Sequence, residues 1–522
     1  MYWMVAASME IFGDIETSAR LPTFLCSVLL CWLVARMARD SIGERAGLYA
    51  GLCLATCCGL WLFTRILIPD VALSFAVTVA ISGFFRAIGD ETRRRHWALC
   101  GWVAMAAGFL LKGRIAVVFS IGPILIYLLV TGLWRSRDVR RSLMPVRGIL
   151  LSLIIAAPWY VLAALKNPPV LDFSMHSTPG IYRGFFWYHF FNEQILRFLG
   201  RRYPHDFSNV RLPWFWLLHL AWLFPWSMFL IRATRLRYRD RRPASRMHLL
   251  ALCWIGVVIG FLAFVPTEEY YSMPAYPAFA ILIGSAMSES GEKAWHWCMR
   301  TVGVVAACAC LAIAGALRIS WGIPTPGDIA QALTHHPDDY TLSLGHMGDL
   351  TAASLAYLRF PLAIAAVATL VGSAGAFARS RRHAALALAL MMVLFFQAAR
   401  VALVAFDPYL GSYPLALALN HAPPGGLIVD DPYYEFSSVF YYGNRTGFLL
   451  NGRVNNLEYG SYAPDAPRMF IGDADFVEKW RSSDRWYVAS DDEKLNHLRG
   501  LVGMQALHPV SSAGGKTIYV NR

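Results

Sequence analysis

Runs of roughly 17 to 22 apolar residues, each long enough to cross a bilayer, recur along about four fifths of this chain and dictate a polytopic helical membrane protein. Twelve spans are read, at about 21–37, 46–63, 70–88, 97–111, 114–132, 148–165, 213–231, 248–265, 270–287, 298–318, 354–376 and 385–405. With 57% hydrophobic and 16% charged residues among 522, no soluble domain of this length fits. Arginine clusters mark alternate loops, from Arg36/Arg39/Arg45 through Arg86 with Arg93 to Arg95, and seven arginines between Arg232 and Arg246, to Arg379/Arg381/Arg382. By the positive-inside rule that face is cytoplasmic. The rule also accounts for the net charge of +13 without nucleic acid. All ten cysteines lie at or before Cys310 in no metal-ligand spacing, which excludes a disulfide framework and a thiol-ligated metal.

The pattern changes near Phe406. Residues 1–406 are read as a transmembrane domain with outer-face loops, and 407–522 as a small α/β domain outside the membrane. In the latter, short β-rich runs (GLIVD, TGFLLNG, RWYVAS, KTIYV) alternate with helix-like stretches such as DADFVEKWRSS, where Asp473 or Asp475 would cap the start. An even number of spans above a basic cytoplasmic face puts both termini outside. Yet Met1–Phe12 is too short to span and has neither a basic n-region nor a cleavage site; it reads as an interfacial helix. The expectation is that a first span and its outer loop precede Met1, lost to a mis-set start codon or a truncation.

Ionisable groups at the outer ends of spans are the candidates for chemistry, because a charge near hydrocarbon is costly unless paired or useful. Asp70 follows Pro69 at the mouth of a span, with Arg65 five residues before it; it is either a helix cap or a carboxylate lining a site. Lys112-Gly113-Arg114 breaks two apolar runs, so two cations sit together, snorkelling to headgroups or reaching a phosphate. The loop Tyr188–Phe207 is basic and aromatic: Asn192, Glu193 and Arg197 share it, Glu193 and Arg197 at a helical spacing that allows a salt bridge. A guanidinium fork there also suits a phosphate, whereas Arg201, Arg202 and His205 are read as surface residues facing anionic headgroups. Glu268, Glu269, Tyr270 and Tyr271 open a Pro-rich span; the tyrosines fit an interfacial belt, and adjacent carboxylates there are less ordinary.

With MYWMVAASMEIFG, SARLPTF, ILIPDVALSF, GFLLKGRIAVV, APWYVLAALKNP, NEQILRFLGRRYPHD, FPWS and EEYYSMPAYPAFAIL in that order, the chain resembles the GT-C glycosyltransferases. Within them it looks like the bacterial aminoarabinose transferases and the dolichyl-phosphate-mannose protein mannosyltransferases. The resemblance implies an inverting transfer of a sugar from a polyprenyl phosphate, at the outer face of a bacterial inner membrane, to lipid A, another envelope glycan or a protein. It implies that Lys112, Arg197 and Tyr271 contact the donor phosphate and that Asp70 is the catalytic carboxylate. Arg65, Arg114, Asn192, Glu193, Glu268, Glu269 and Tyr270 are then candidates to line the site. The family's first outer loop, with its acidic residue and Lys-Pro-Pro stretch, has no counterpart here.

No cofactor is required by the sequence; a divalent metal stays open, with Glu193, Glu268, Glu269 and His189 as ligands if they converge. Two other readings remain. One is a transporter or flippase of lipid-linked sugars, which would show charges mid-span and broken helices. The other is a truncated homologue that binds the donor lipid without turning it over.

Overall fold

The computed structural model describes residues 1–167, 171–204, 212–265, 268–334, 349–430 and 433–522. The chain divides into two compact units, one of Met1–Pro168, Ser208–Ala309 and Ala368–Leu394, the other of Pro169–Phe207, Cys310–Val367 and Phe395–Arg522.

Every one of the twelve apolar runs falls on a helix or a bent helix pair. Among the described residues, seven helices are long and apolar enough to cross a membrane, including Glu16–Ser41, Asp70–Gly89 and Arg381–Leu410. Two further spans are bent pairs, Glu44–Thr56 with Cys58–Thr64 at 47° and Pro213–Trp222 with Trp226–Ala233 at 105°. The chain is a multi-pass helical membrane protein.

In the first unit, the helices Asp70–Gly89 and Arg94–Lys112 form an antiparallel hairpin. Asp90 shapes the turn: its carboxylate accepts from the backbone N–H groups of Thr92 and Arg93, from the Thr92 hydroxyl and from the Trp97 indole. Small residues let the two backbones touch, since a Cβ on Gly83 would lie 2.7 Å from the Trp97 carbonyl oxygen and 2.9 Å from the Gly101 nitrogen. Phe84 packs edge-on against Trp102 at 5.2 Å beside that contact. An antiparallel pair with its turn at 90–93 brings the start of one helix level with the end of the other, so Asp70 faces Lys112. Gly113, at φ +71 and donating to the Phe109 carbonyl at 2.7 Å, ends the second helix in a conformation open to glycine and starts Ile115–Thr131 at once.

The second unit holds a six-stranded sheet: β1 Gly426–Asp430, β2 Phe448–Leu450, β3 Phe470–Ile471, β4 Trp486–Asp491, β5 His508–Ala513 and β6 Lys516–Val520. The order is β3-β2-β1-β4-β6-β5, parallel from β3 to β4 and antiparallel through β6 and β5. Period-two alternation sends Leu427, Val429, Tyr487, Ala489 and Ile518 to one face, covered by Tyr413–His421 and Tyr433–Gly443. Ile428, Val488 and Tyr519 point to the other, covered by Asp473–Trp480 and Leu495–Val502. The four β-rich runs named above are β1, β2, β4 and β6, and Asp475 caps the Asp473–Trp480 helix by accepting from the Gly472 N–H at 3.2 Å.

Candidate active site

At the mouth of the hairpin, the Lys112 ammonium donates to both oxygens of Asp70, at 2.6 and 2.8 Å. Asp70 is the first residue of its helix, after Pro69 at the cap position, and its carboxylate is committed to Lys112 through both oxygens. Lys112 does not snorkel away from the protein. Its side chain keeps 25% exposure whereas that of Asp70 keeps 2%, so a buried carboxylate anchors a cation that still meets solvent. The ring of Tyr271 lies 4.4 Å from that ammonium and the ring of Tyr270 5.3 Å. The 3₁₀ turn Glu269–Ala275 places the two tyrosines, opened by the Tyr271 N–H donating to the Glu268 carbonyl at 3.1 Å. Glu268 and Glu269 are half-buried at its start. Arg65 stacks on Trp61 at 4.7 Å, and Arg114 is exposed directly after Gly113. A carboxylate, an ammonium and two aromatic faces thus form one centre at the end of the spans opposite Arg86 and Arg93 to Arg95.

The second unit carries the other candidates. Trp187–Leu196 is a π-helix, continued by i→i+5 bonds from the Arg197 N–H to the Asn192 carbonyl (2.9 Å) and from the Arg201 N–H to the Leu196 carbonyl (2.7 Å). Such helices are rare beyond a turn and cluster at functional sites. Arg197 donates to one oxygen of Glu193 at 3.0 Å, the salt bridge that their helical spacing allows. Arg202 donates to the other at 2.7 Å. Arg202 is only 8% exposed, which corrects its reading as a headgroup-facing residue. Asn192 clamps Tyr203 through both its amide atoms, accepting from the N–H at 2.9 Å and donating to the carbonyl at 2.6 Å. Burial first, then the Glu193 carboxylate, push the Tyr188 phenol up to about 12. His189 stacks on Phe185. His205 and Asp206 lie outside the described residues.

Among the described residues, no group of three or more His, Cys, Asp and Glu side chains is placed to hold a metal ion.

Sequence reasoning missed the burial of Arg202 and its partner Asn456, and also Glu458, which accepts from Tyr203, and Tyr459, which bonds Arg183 and Gly184. Only the aromatic density of WYHFF hinted that this loop packs inward.

The family profile described as dolichyl-phosphate-mannose-protein mannosyltransferase matches residues 1–161. An undecaprenyl phosphate-alpha-4-amino-4-deoxy-L-arabinose arabinosyl transferase of Pseudomonas aeruginosa is 28% identical over 376 residues, 69% of this chain and 61% of that protein. An uncharacterised protein of Aquifex aeolicus is 27% identical over 286 residues, 54% of this chain and 58% of its own. The chain thus spans about three fifths of the length of the curated relatives it matches. The crystal structure of ArnT from Cupriavidus metallidurans bound to undecaprenyl phosphate superposes with a TM-score of 0.75 at 19% identity, covering 100% of this chain and 87% of that one. The apo form gives 0.74 at 18%, covering 100% and 86%. The fold is the ArnT-like GT-C fold, and the resemblance drawn from the sequence motifs holds.

Proposed function

We propose that this GT-C-fold membrane protein is an inverting glycosyltransferase that takes a sugar from a polyprenyl-phosphate donor at the outer face of a bacterial inner membrane. The acceptor is lipid A, another envelope glycan or a protein, and the named arabinosyl transferases favour an undecaprenyl-phosphate aminosugar as the donor. The observation that carries this reading is the Asp70–Lys112 pair beneath Tyr270 and Tyr271, a cation held in place and left partly open at the membrane surface.

The chemistry asks for little else. In a one-step displacement the lipid phosphate departs with growing negative charge, which fixed cations stabilise. Lys112, steered by Asp70 and the Tyr271 ring, meets the donor phosphate. Arg197 neutralises charge on the same class of ligand through its guanidinium fork. Asp70 is bonded to Lys112 through both oxygens, which supports a first role in orienting the lysine. It becomes available to an acceptor hydroxyl when Lys112 turns to phosphate. The lipid carrier brings the sugar already activated, so no nucleotide site is required. Residues 407–522 are proposed to stand outside the membrane.

The test is transfer from a polyprenyl-phosphate sugar by the full chain in lipid nanodiscs. Arg197→Ala and Lys112→Ala should each abolish transfer while the protein stays folded in the membrane. Wild-type turnover in either variant would remove the role proposed for that residue.

A further inference from the structure

We infer that the short helix Asn455–Ser461 of the C-terminal region positions Arg197, acting through Arg202 and Glu193 to keep that guanidinium available to an anionic ligand. The inference rests on Arg197 serving the donor phosphate, as proposed above.

Three residues of this helix face the loop that carries Arg197. Asn456 accepts from Arg202 Nη2 at 3.0 Å. Glu458 accepts from the Tyr203 hydroxyl at 2.5 Å. Tyr459 is 3% exposed and its ring stacks on Tyr188 at 4.5 Å and on Trp187 at 5.6 Å. The Tyr459 hydroxyl uses both its capacities, accepting from the Arg183 N–H and donating to the Gly184 carbonyl, each at 3.0 Å. Backbone, side chain and ring are therefore all tied to one helix that lies more than 250 residues further along the chain.

The relay has a direction. Arg202 is held at Nη2 by Asn456 and at Nη1 by the Pro204 carbonyl (2.8 Å), which aims its Nε at Glu193 Oε1 (2.7 Å). Glu193 then has one oxygen for Arg197. Burying a guanidinium is costly unless its donors are met, and here it is spent on dividing a carboxylate between two arginines. Glu193 thus bonds two arginines at once, one through each oxygen. Of the two arginine side chains Arg197 is the more open, 27% exposed against 9% for Arg202, so it is the one that meets a ligand. Arg202, Glu193, Asn456 and Tyr459 are positioning residues.

Asn456→Asp tests the relay without opening a cavity. A carboxylate at 456 takes over Arg202 and releases Glu193 to neutralise Arg197. The full chain in nanodiscs should show the KM for a polyprenyl-phosphate sugar raised about tenfold, a weakening of ~1.4 kcal/mol, with kcat, acceptor KM and melting temperature kept. Tyr459→Phe, which loses only the hydroxyl bonds, should speed amide exchange in 183–197 and raise the same KM. A wild-type donor KM in Asn456→Asp beside lost transfer in Arg197→Ala overturns the positioning role alone. Wild-type transfer by Arg197→Ala removes the functional reading and the inference with it.

Discussion

Asp70 and Lys112, 42 positions apart, meet because their helices are the two arms of one hairpin, and the carboxylate is the buried partner of the two. The pair is a property of the packing of two spans, so its strength depends on the membrane-embedded helices as much as on the site.

Removing one member should be worse than removing both. Lys112→Met leaves a carboxylate in a dry setting and should cost about 3–5 kcal/mol, read as a lowered melting temperature in detergent. The Asp70→Asn/Lys112→Met double variant should recover most of that stability and no transfer activity. Asp70→Asn alone separates its roles: turnover lost with donor binding kept marks a carboxylate acting on the acceptor, whereas equal losses mark an orienting group for Lys112. A double variant no more stable than Lys112→Met would refute the buried-pair account.

Gly284 offers a test of the helix packing. A Cβ there would stand 2.5 Å from the Ala50 nitrogen and 2.8 Å from the Ala46 carbonyl oxygen, both backbone atoms of the neighbouring Glu44–Thr56 helix. Gly284→Ala should destabilise the protein by about 1–3 kcal/mol, while Gly256→Ala, with open space around its Cβ position, should be close to neutral. Equal melting temperatures for the two would contradict the close contact.

Acid should loosen the loop that precedes the π-helix. The Ser174 hydroxyl and then Arg183 hold the Asp172 carboxyl below its ordinary value of 3.8, with burial opposing them. A depressed carboxyl contributes stability above its unfolded value and loses it as pH falls through the folded one. Pepsin cleavage within 171–186 should therefore climb as pH drops below that ordinary value. Asp172→Asn should raise cleavage already at the top of the pepsin range and flatten its pH dependence. A wild-type profile in that variant would show that the contact with Arg183, at 2.7 Å, carries no weight.

The spans and four of the six strands were legible because both are written in local periodicity, as in GLIVD or the run after Asp70. β3, with two residues, and β5, mostly exposed, carry too little pattern to be seen. The Glu193–Arg197 bond was visible from its spacing, whereas Arg202 looked like another surface arginine. Its burial depends on Asn456, 254 residues away, and no spacing rule reaches that far. The π-helix escaped for a different reason: its residues satisfy an ordinary helical pattern, and only the i→i+5 bonds reveal the wider turn.

The Gly83–Gly101 contact sits thirteen residues, roughly 20 Å of helix, below Asp70. The two arms of the hairpin are in backbone contact at that point. A methyl group added in the middle of the membrane would spread the tips, and the distance between a carboxylate and an ammonium at the surface would report it.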